Sequence, residues 1–416
     1  MWAWWQATHF NNFRAETWCA PSRTAFMTGR YGWELGTNFP DTNLELSPDR
    51  LVMVSSVLRD AGYHTALVGK WHVTSPEACQ DRDWGQVAHY NITAAKIGNQ
   101  PIPLQPGPKD FHALRGKTGG FGCGFDDAYG FMGGESGYYQ HSKHMQRNGE
   151  PHDDKGYLTD LFADEAASVV KKHKKERGSQ PLFLWMALNA PHPPFEAPAN
   201  VISKFTEADL IKAAGGESQN SKDNYYAFRK PGSEGLAHMR VYLAMIYIMD
   251  KAFHQVADAM SSAGMWTNTL SVFMSDNGGP NGPAVCNGGL RGTKATPFDG
   301  GTRVPFFVHW PSALGSTARH TNAPGHVADL LATFYDVAKG GITDAKVRSE
   351  LDSKARRAAA PRRAPPLSSH PPPSLLLLTP PPLPRLRLRR CRSLRRSRAR
   401  CSRPSAAPRP RRSCSG

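Results

Sequence analysis

Three nearly continuous apolar runs limit what this chain can become: PLFLWMAL at 181–188, TLSVFMS at 269–275 and RVPFFVHW at 303–310. A strand with one wet face alternates apolar and polar residues. A run without alternation suits a strand buried on both faces, the habit of parallel sheets. Helical patterns separate the runs. Residues 160–175 carry acids early and lysines late, as a helix dipole favours. Residues 236–262 set Val241, Met245, Ile248, Met249, Ala252 and Val256 on one side, and HVADLLATFYDVAK at 326–339 is a last helix. Nearer the start, Ser47-Pro48-Asp49 opens a helix through Leu51, Val54 and Leu58 that Gly62 closes, and YHTALVGKWH follows as a strand. Strands alternating with helices predict an α/β fold, a largely parallel central sheet flanked by helices. The glycine-rich segments 76–120 and 121–141 are read as loop.

Charge divides the chain. The formal net charge is +16, yet residues 353–416 hold 17 arginines, one lysine and no acid. The first 352 residues are near neutral, with 33 basic and 35 acidic side chains. The expected organisation is a folded domain over 1–345 and a disordered Pro/Arg/Ser-rich tail over 353–416, whose composition lacks any helix or strand period. A basic arm for nucleic acid or a membrane surface is the minor alternative, and a segment never selected as protein is the favoured one. No nucleic acid is expected as partner, and no run is long enough to span a bilayer, LLLL at 375–378 included. The body's cysteines, Cys19, Cys79, Cys123 and Cys286, are widely spaced and form no zinc framework. Asn91-Ile92-Thr93 is a glycosylation sequon.

In parallel α/β folds, sites form beyond the carboxyl ends of the strands. Lys70 and His72 follow one strand, His192 a second, and Asp276 and Asn277 a third. Asp276 and Asn277 offer oxygen ligands for a hard divalent cation; an ordinary Asn-Gly turn explains them as well. Lys70, His72, His192, Lys294 and Arg23 suit a tetrahedral oxyanion, each also explicable as a solvated or core residue. Cys19, ahead of Pro21, suits a helix N-terminus, where a thiolate is favoured; a buried free cysteine is the plain alternative.

CAPSR at 19–23, with TGR at 28–30, resembles the signature of the sulfatase family, and GYHTALVGKWH at 62–72 resembles its second signature. DNGG at 276–279 and LRGTK at 290–294 follow in order, and residues 287–311 are similar to the arylsulfatase B type. The resemblance, from about residue 10 to about 340, implies an alkaline phosphatase-like sulfatase fold and a sulfuric ester hydrolase acting on an aryl or carbohydrate sulfate. It implies that a formylglycine-generating enzyme reads Pro21 and Arg23 and oxidises Cys19 to Cα-formylglycine. The aldehyde's gem-diol then attacks sulfur, and a covalent enzyme-sulfate forms and is released. By the same resemblance Arg23, Lys70 and His72 contact the diol and sulfate, and His192 and Lys294 hold sulfate oxygens and assist the leaving alcohol. Asp276 and Asn277 bind Ca2+. The substrate is a sulfated small molecule or glycan, and the family's habit is the secretory pathway, lysosomal or extracellular. Kindred readings are a phosphate or phosphonate ester hydrolase and an inactive sulfatase-like fragment.

Members of the family begin with an apolar strand ending in paired aspartates. Residues 1–18 hold no aspartate, only Glu16, and the segment beyond about 345 does not resemble the family's C-terminal subdomain. The expectation is a sheet without its central first strand, two metal ligands short, that folds poorly and turns over slowly.

Overall fold

A computed structural model describes residues 6–37, 52–73, 96–97, 100–101, 123–142, 145–148, 150–213, 232, 234–280, 287, 290–339 and 374–379. Its strands are β1 (Thr8–Arg14), β2 (His64–Lys70), β3 (Lys96–Ile97), β4 (Gln100–Pro101), β5 (Asp127–Phe131), β6 (Met145–Arg147), β7 (Glu150–Pro151), β8 (Leu182–Ala187), β9 (Thr269–Met274), β10 (Arg303–His309), β11 (Arg319–His326) and β12 (Ser374–Thr379). The main helices are α1 (Cys19–Thr28), α2 (Val54–Asp60), α3 (Leu158–Arg177), α4 (Glu234–Ser262) and α5 (Asp329–Lys339).

Ten strands form one sheet in the order β11-β1-β10-β9-β12-β8-β2-β5-β6-β7. The five from β9 to β5 run parallel, while β10 and β6 run against their neighbours. The largely parallel α/β architecture is as the alternating pattern predicts. Strands β2 and β8 are buried at every position, which is why β8 reads as an unbroken apolar run; β2 buries His64, Thr65 and Lys70 as well. Two cores sandwich the sheet. On one face Phe26 of α1, Val57 of α2 and Phe334 of α5 pack on Phe183 and Trp185; on the other, Phe162 of α3 and Met245 of α4 pack on Leu184 and Met186.

The sheet's centre departs from expectation. The place between β8 and β9 is filled, and by a segment of the tail. β12 is hydrogen-bonded on both sides, with Leu377 opposite Trp185 of β8 and Val272 of β9. Leu375 and Leu377 point into one core and Leu376 into the other, each at most 1% exposed. Residues 374–379 therefore form a central strand, buried at 374–377, which corrects the reading of a tail disordered throughout; the rest of that tail lies outside the described residues. Leu375, Leu376 and Leu377 satisfy two apolar faces at once, the same logic that made β8 legible. β12 also joins two half-sheets, since β8 and β9 pair with each other only through it.

Smaller corrections follow. Residues Asp127–Phe131, read as loop, form β5 beside β2. Gly130 permits this, because a Cβ there would lie 1.8 Å from the Gly69 carbonyl oxygen. β10 is antiparallel and only partly buried, not a strand enclosed on both faces. α2 starts at Val54; Ser47 to Leu51, Asn91, Cys79 and Cys286 lie outside the described residues.

Candidate active site

A pocket opens at the carboxyl ends of β2, β8 and β9. It is lined by Cys19, Arg23, Lys70, Leu188, Asn189, Ala190, Pro191, His192, Pro193, Tyr242, Ser275, Asp276, Asn277, Gly278, Gly279, Pro280 and Lys294. Seven of the eight residues singled out from sequence meet there. His72 is not on that wall: it is 6% exposed at a left-handed φ of 49°, and its ring lies against Gly134, where a Cβ would come within 2.8 Å of Nε2.

Cys19 is the first residue of α1, a helix buried along its whole length. Its thiol, on the positive end of the helix dipole, accepts a hydrogen bond from Lys294 Nζ at 3.2 Å. Two backbone bonds fix the Lys294 loop: Lys294 N–H donates to Gly279 O at 2.8 Å, and Ala295 N–H to Thr17 O at 2.9 Å. Gly278 is required below it, because a Cβ would strike Gly300 O at 1.8 Å.

One turn after Cys19, Arg23 ties three strand ends together. Nη1 donates to Lys70 O at 2.7 Å, Nη2 to Leu188 O at 3.4 Å and Nε to Asp276 Oδ2 at 3.1 Å. The half-sheet of β2 and β8 is thus joined to that of β9 above the sheet, as β12 joins them within it. Burial raises the Asp276 pKa, but Arg23, Lys70 and Lys294 outweigh it and hold the carboxyl at about 2. Burial, with Arg23 and Lys294 close by, lowers the Lys70 ammonium's pKa. His192 donates from Nδ1 to Pro193 O at 2.7 Å. Burial first, then Lys70 and Lys294, lowers its pKa to about 4. At neutral pH the ring is therefore uncharged, with Nε2 free to take a proton.

Asp276 and Asn277 have the chemistry of hard-cation ligands. Asn277 is 7% exposed and its Oδ1 has no partner among the described residues, a costly state unless something binds it. Yet Asp276 is already engaged by Arg23, and among the described residues no group of three or more His, Cys, Asp or Glu is arranged to hold a metal. Calcium takes 6–8 oxygens. Two donors fit the chemistry and do not complete the shell.

The family model for sulfatases matches residues 3–341. The chain belongs to the sulfatase family. Its relatives include the uncharacterized sulfatase YdeN of Escherichia coli (strain K12), 28% identical over 336 residues, 79% of this chain and 50% of the relative. Arylsulfatase J of Mus musculus is 24% identical over 354 residues, 82% of this chain and 48% of the relative. This sulfatase chain thus spans about half the length of these curated relatives. Among solved structures, Ps i-CgsB in complex with k-i-k-neocarrahexaose superposes with a TM-score of 0.59 at 24% identity, covering 84% of this chain and 67% of that one. BT4656 in complex with D-glucosamine-2-N,6-O-disulfate gives 0.52 at 18% identity, covering 83% and 72%. The sulfatase fold, alkaline phosphatase-like, is shared with them.

Asn189, Ser275 and Tyr242 line the sulfatase pocket without having been singled out from sequence. Asn189 and Ser275 obey the strand-end rule that found His192 and Asp276. Tyr242 carries no such signal, since it lies inside a helix. Among the described residues, no helix is long and apolar enough to cross a membrane.

Proposed function

We propose that this pocket binds a sulfate ester and hydrolyses it once Cys19 has been converted to formylglycine. The observation that carries the reading is the convergence of Arg23, Lys70 and Lys294 around Cys19, with Asp276 the one acid among the described residues of the wall. Excess positive charge on side chains of which Arg23 and Lys70 are buried suits a sulfate group whose charge grows on its oxygens as the ester bond breaks. The hydrated aldehyde would supply one hydroxyl to attack sulfur and a second whose deprotonation releases the covalently held sulfate. Lys294, already bonded to the position-19 side chain, orients that group. Lys70 neutralises sulfate oxygens, and His192 Nε2 holds the proton exchanged with the alcohol. Asp276 and Asn277 are the two donors this chain offers to Ca2+. His72 is assigned to the sulfate side by motif only.

The substrate is a sulfated small molecule or glycan, as D-glucosamine-2-N,6-O-disulfate is for BT4656, and the modifying partner is a formylglycine-generating enzyme. Cys123 is disulfide-bonded, which supports an oxidising, secretory setting. The catalytic unit is assigned to residues 1–345. A second reading, sulfate binding without turnover, is favoured by the incomplete oxygen shell around Asp276.

Co-expression with the modifying enzyme, peptide mass analysis of residue 19 and hydrolysis of 4-nitrocatechol sulfate test both. Turnover that vanishes in Cys19→Ala supports hydrolysis. Tight sulfate binding without turnover supports the second reading. Equal turnover in Cys19→Ala overturns the assignment of the nucleophile.

A further inference from the structure

The pocket's cations match a group that only accepts hydrogen bonds, since an ester sulfate presents oxygens alone. Two side chains on the same wall have different chemistry. Tyr242, from α4, is 8% exposed and lines the pocket with His192 and Pro193. Its ring meets Phe195 edge-on, with centroids 5.8 Å apart. Its phenol makes no hydrogen bond among the described residues, and the side chain is on the pocket wall. Burial alone pushes its pKa up to about 12, so at neutral pH it is an uncharged O–H.

Asn189 is 5% exposed, two residues beyond β8. Its Nδ2 donates to Ser136 O at 3.3 Å, while Oδ1 has no partner among the described residues. Exchanging the amide's N and O would set two acceptors against each other at Ser136, so the carbonyl end is the unpaired one. An unpaired acceptor does nothing for sulfate. It suits a hydroxyl. Around both lie Leu188, Pro191, Pro193 and Pro280, a neutral surface fit for the carbon skeleton of an alcohol.

We propose that Tyr242 and Asn189 bind the alcohol half of the ester, Tyr242 donating to and Asn189 accepting from hydroxyls beside the esterified oxygen. The pocket thereby selects a polyhydroxylated, sugar-like leaving group over a plain aryl one. The inference rests on the sulfate-ester reading and names the residues that would set its specificity.

The test is titration calorimetry on the chain with Cys19 as the unmodified thiol, so that nothing turns over. Galactose 4-sulfate, 4-nitrophenyl sulfate and inorganic sulfate are the probes. The wild-type chain is expected to prefer the sugar sulfate to the aryl sulfate. Tyr242→Phe keeps the ring against Phe195 and removes one oxygen. It is expected to lower the ratio of galactose 4-sulfate affinity to inorganic sulfate affinity about tenfold, the scale of one hydrogen bond. Asn189→Ser is expected to shift the same ratio in the same direction. An unchanged ratio in Tyr242→Phe overturns the proposal, and so does an equal loss for all three probes, which would put Tyr242 among the sulfate contacts. If the wild-type chain binds no inorganic sulfate, the sulfate-ester reading fails first and takes this proposal with it.

Discussion

Replacing Leu376 with alanine probes the least foreseeable part of the fold. Leu376 is 1% exposed on the α3–α4 side of β12, between strands that have no other link within the sheet. Truncating a buried leucine costs about 2–5 kcal/mol, the transfer of the lost methyl groups plus the cavity they leave. With both neighbouring strands hydrogen-bonded, collapse around the cavity is limited, and about 3 kcal/mol is expected. That is a large share of a typical domain's ~5–15 kcal/mol. Urea unfolding followed by tryptophan fluorescence reports it directly, because Trp71 and Trp185 are fully buried and Trp185 lies opposite Leu377 in register. With a slope of roughly 3 kcal/mol per molar urea, the midpoint falls by about 1 M at unchanged slope. Leu376→Asp, which buries an unpaired carboxylate, should leave no cooperative transition. A midpoint in Leu376→Ala indistinguishable from the parent's would mean that β12 does not hold the half-sheets together.

Arg23→Lys puts a single point charge where a planar fork now serves two carbonyls and a carboxylate. Inorganic sulfate affinity should fall at least about tenfold and the melting temperature should drop, and an unchanged affinity would remove Arg23 from the site. Stability should also depend on acidity. Burial lowers the His173 pKa from 6.5 to about 4, and His192 shifts the same way. The unfolded chain takes up these protons first, so stability is flat above about pH 6.5 and declines as pH falls toward 4. Urea midpoints between pH 7.5 and 4.5 measure this, and His173→Asn should flatten the decline. A midpoint independent of pH would refute it.

What was legible in the sequence follows from burial. β2 announced itself because its short run ALVG follows the glycine that closes a helix, and β8 because both faces are apolar. β12 has the same property, but its leucines sit amid prolines and arginines, whose composition masks a six-residue strand. β1, THFNNFR, hid for the opposite reason: it lies near the sheet's edge, with a register shift between Phe10 and Phe13 and only two of seven positions buried. β5 was concealed by the glycines in and around it, of which Gly130 lets its backbone approach β2. In the site, charged and sulfur-bearing residues at strand ends stood out. Tyr242 did not, because a tyrosine at helical spacing looks like core until the fold shows which side of α4 meets a cavity.

The burial of the whole CAPSR segment has a consequence for timing. Cys19 and Arg23 are each 3% exposed and Ser22 1%, with Pro21 enclosed in the same helix. A second protein that had to grip this segment would find its side chains enclosed in the finished molecule, Cys19 and Arg23 reachable only through the pocket. If residue 19 is converted as proposed, the conversion would have to occur while the polypeptide is still threading or newly released. Any variant that speeds collapse of this N-terminal helix would shorten that window and lower the fraction of converted chains without touching a single contact in the pocket.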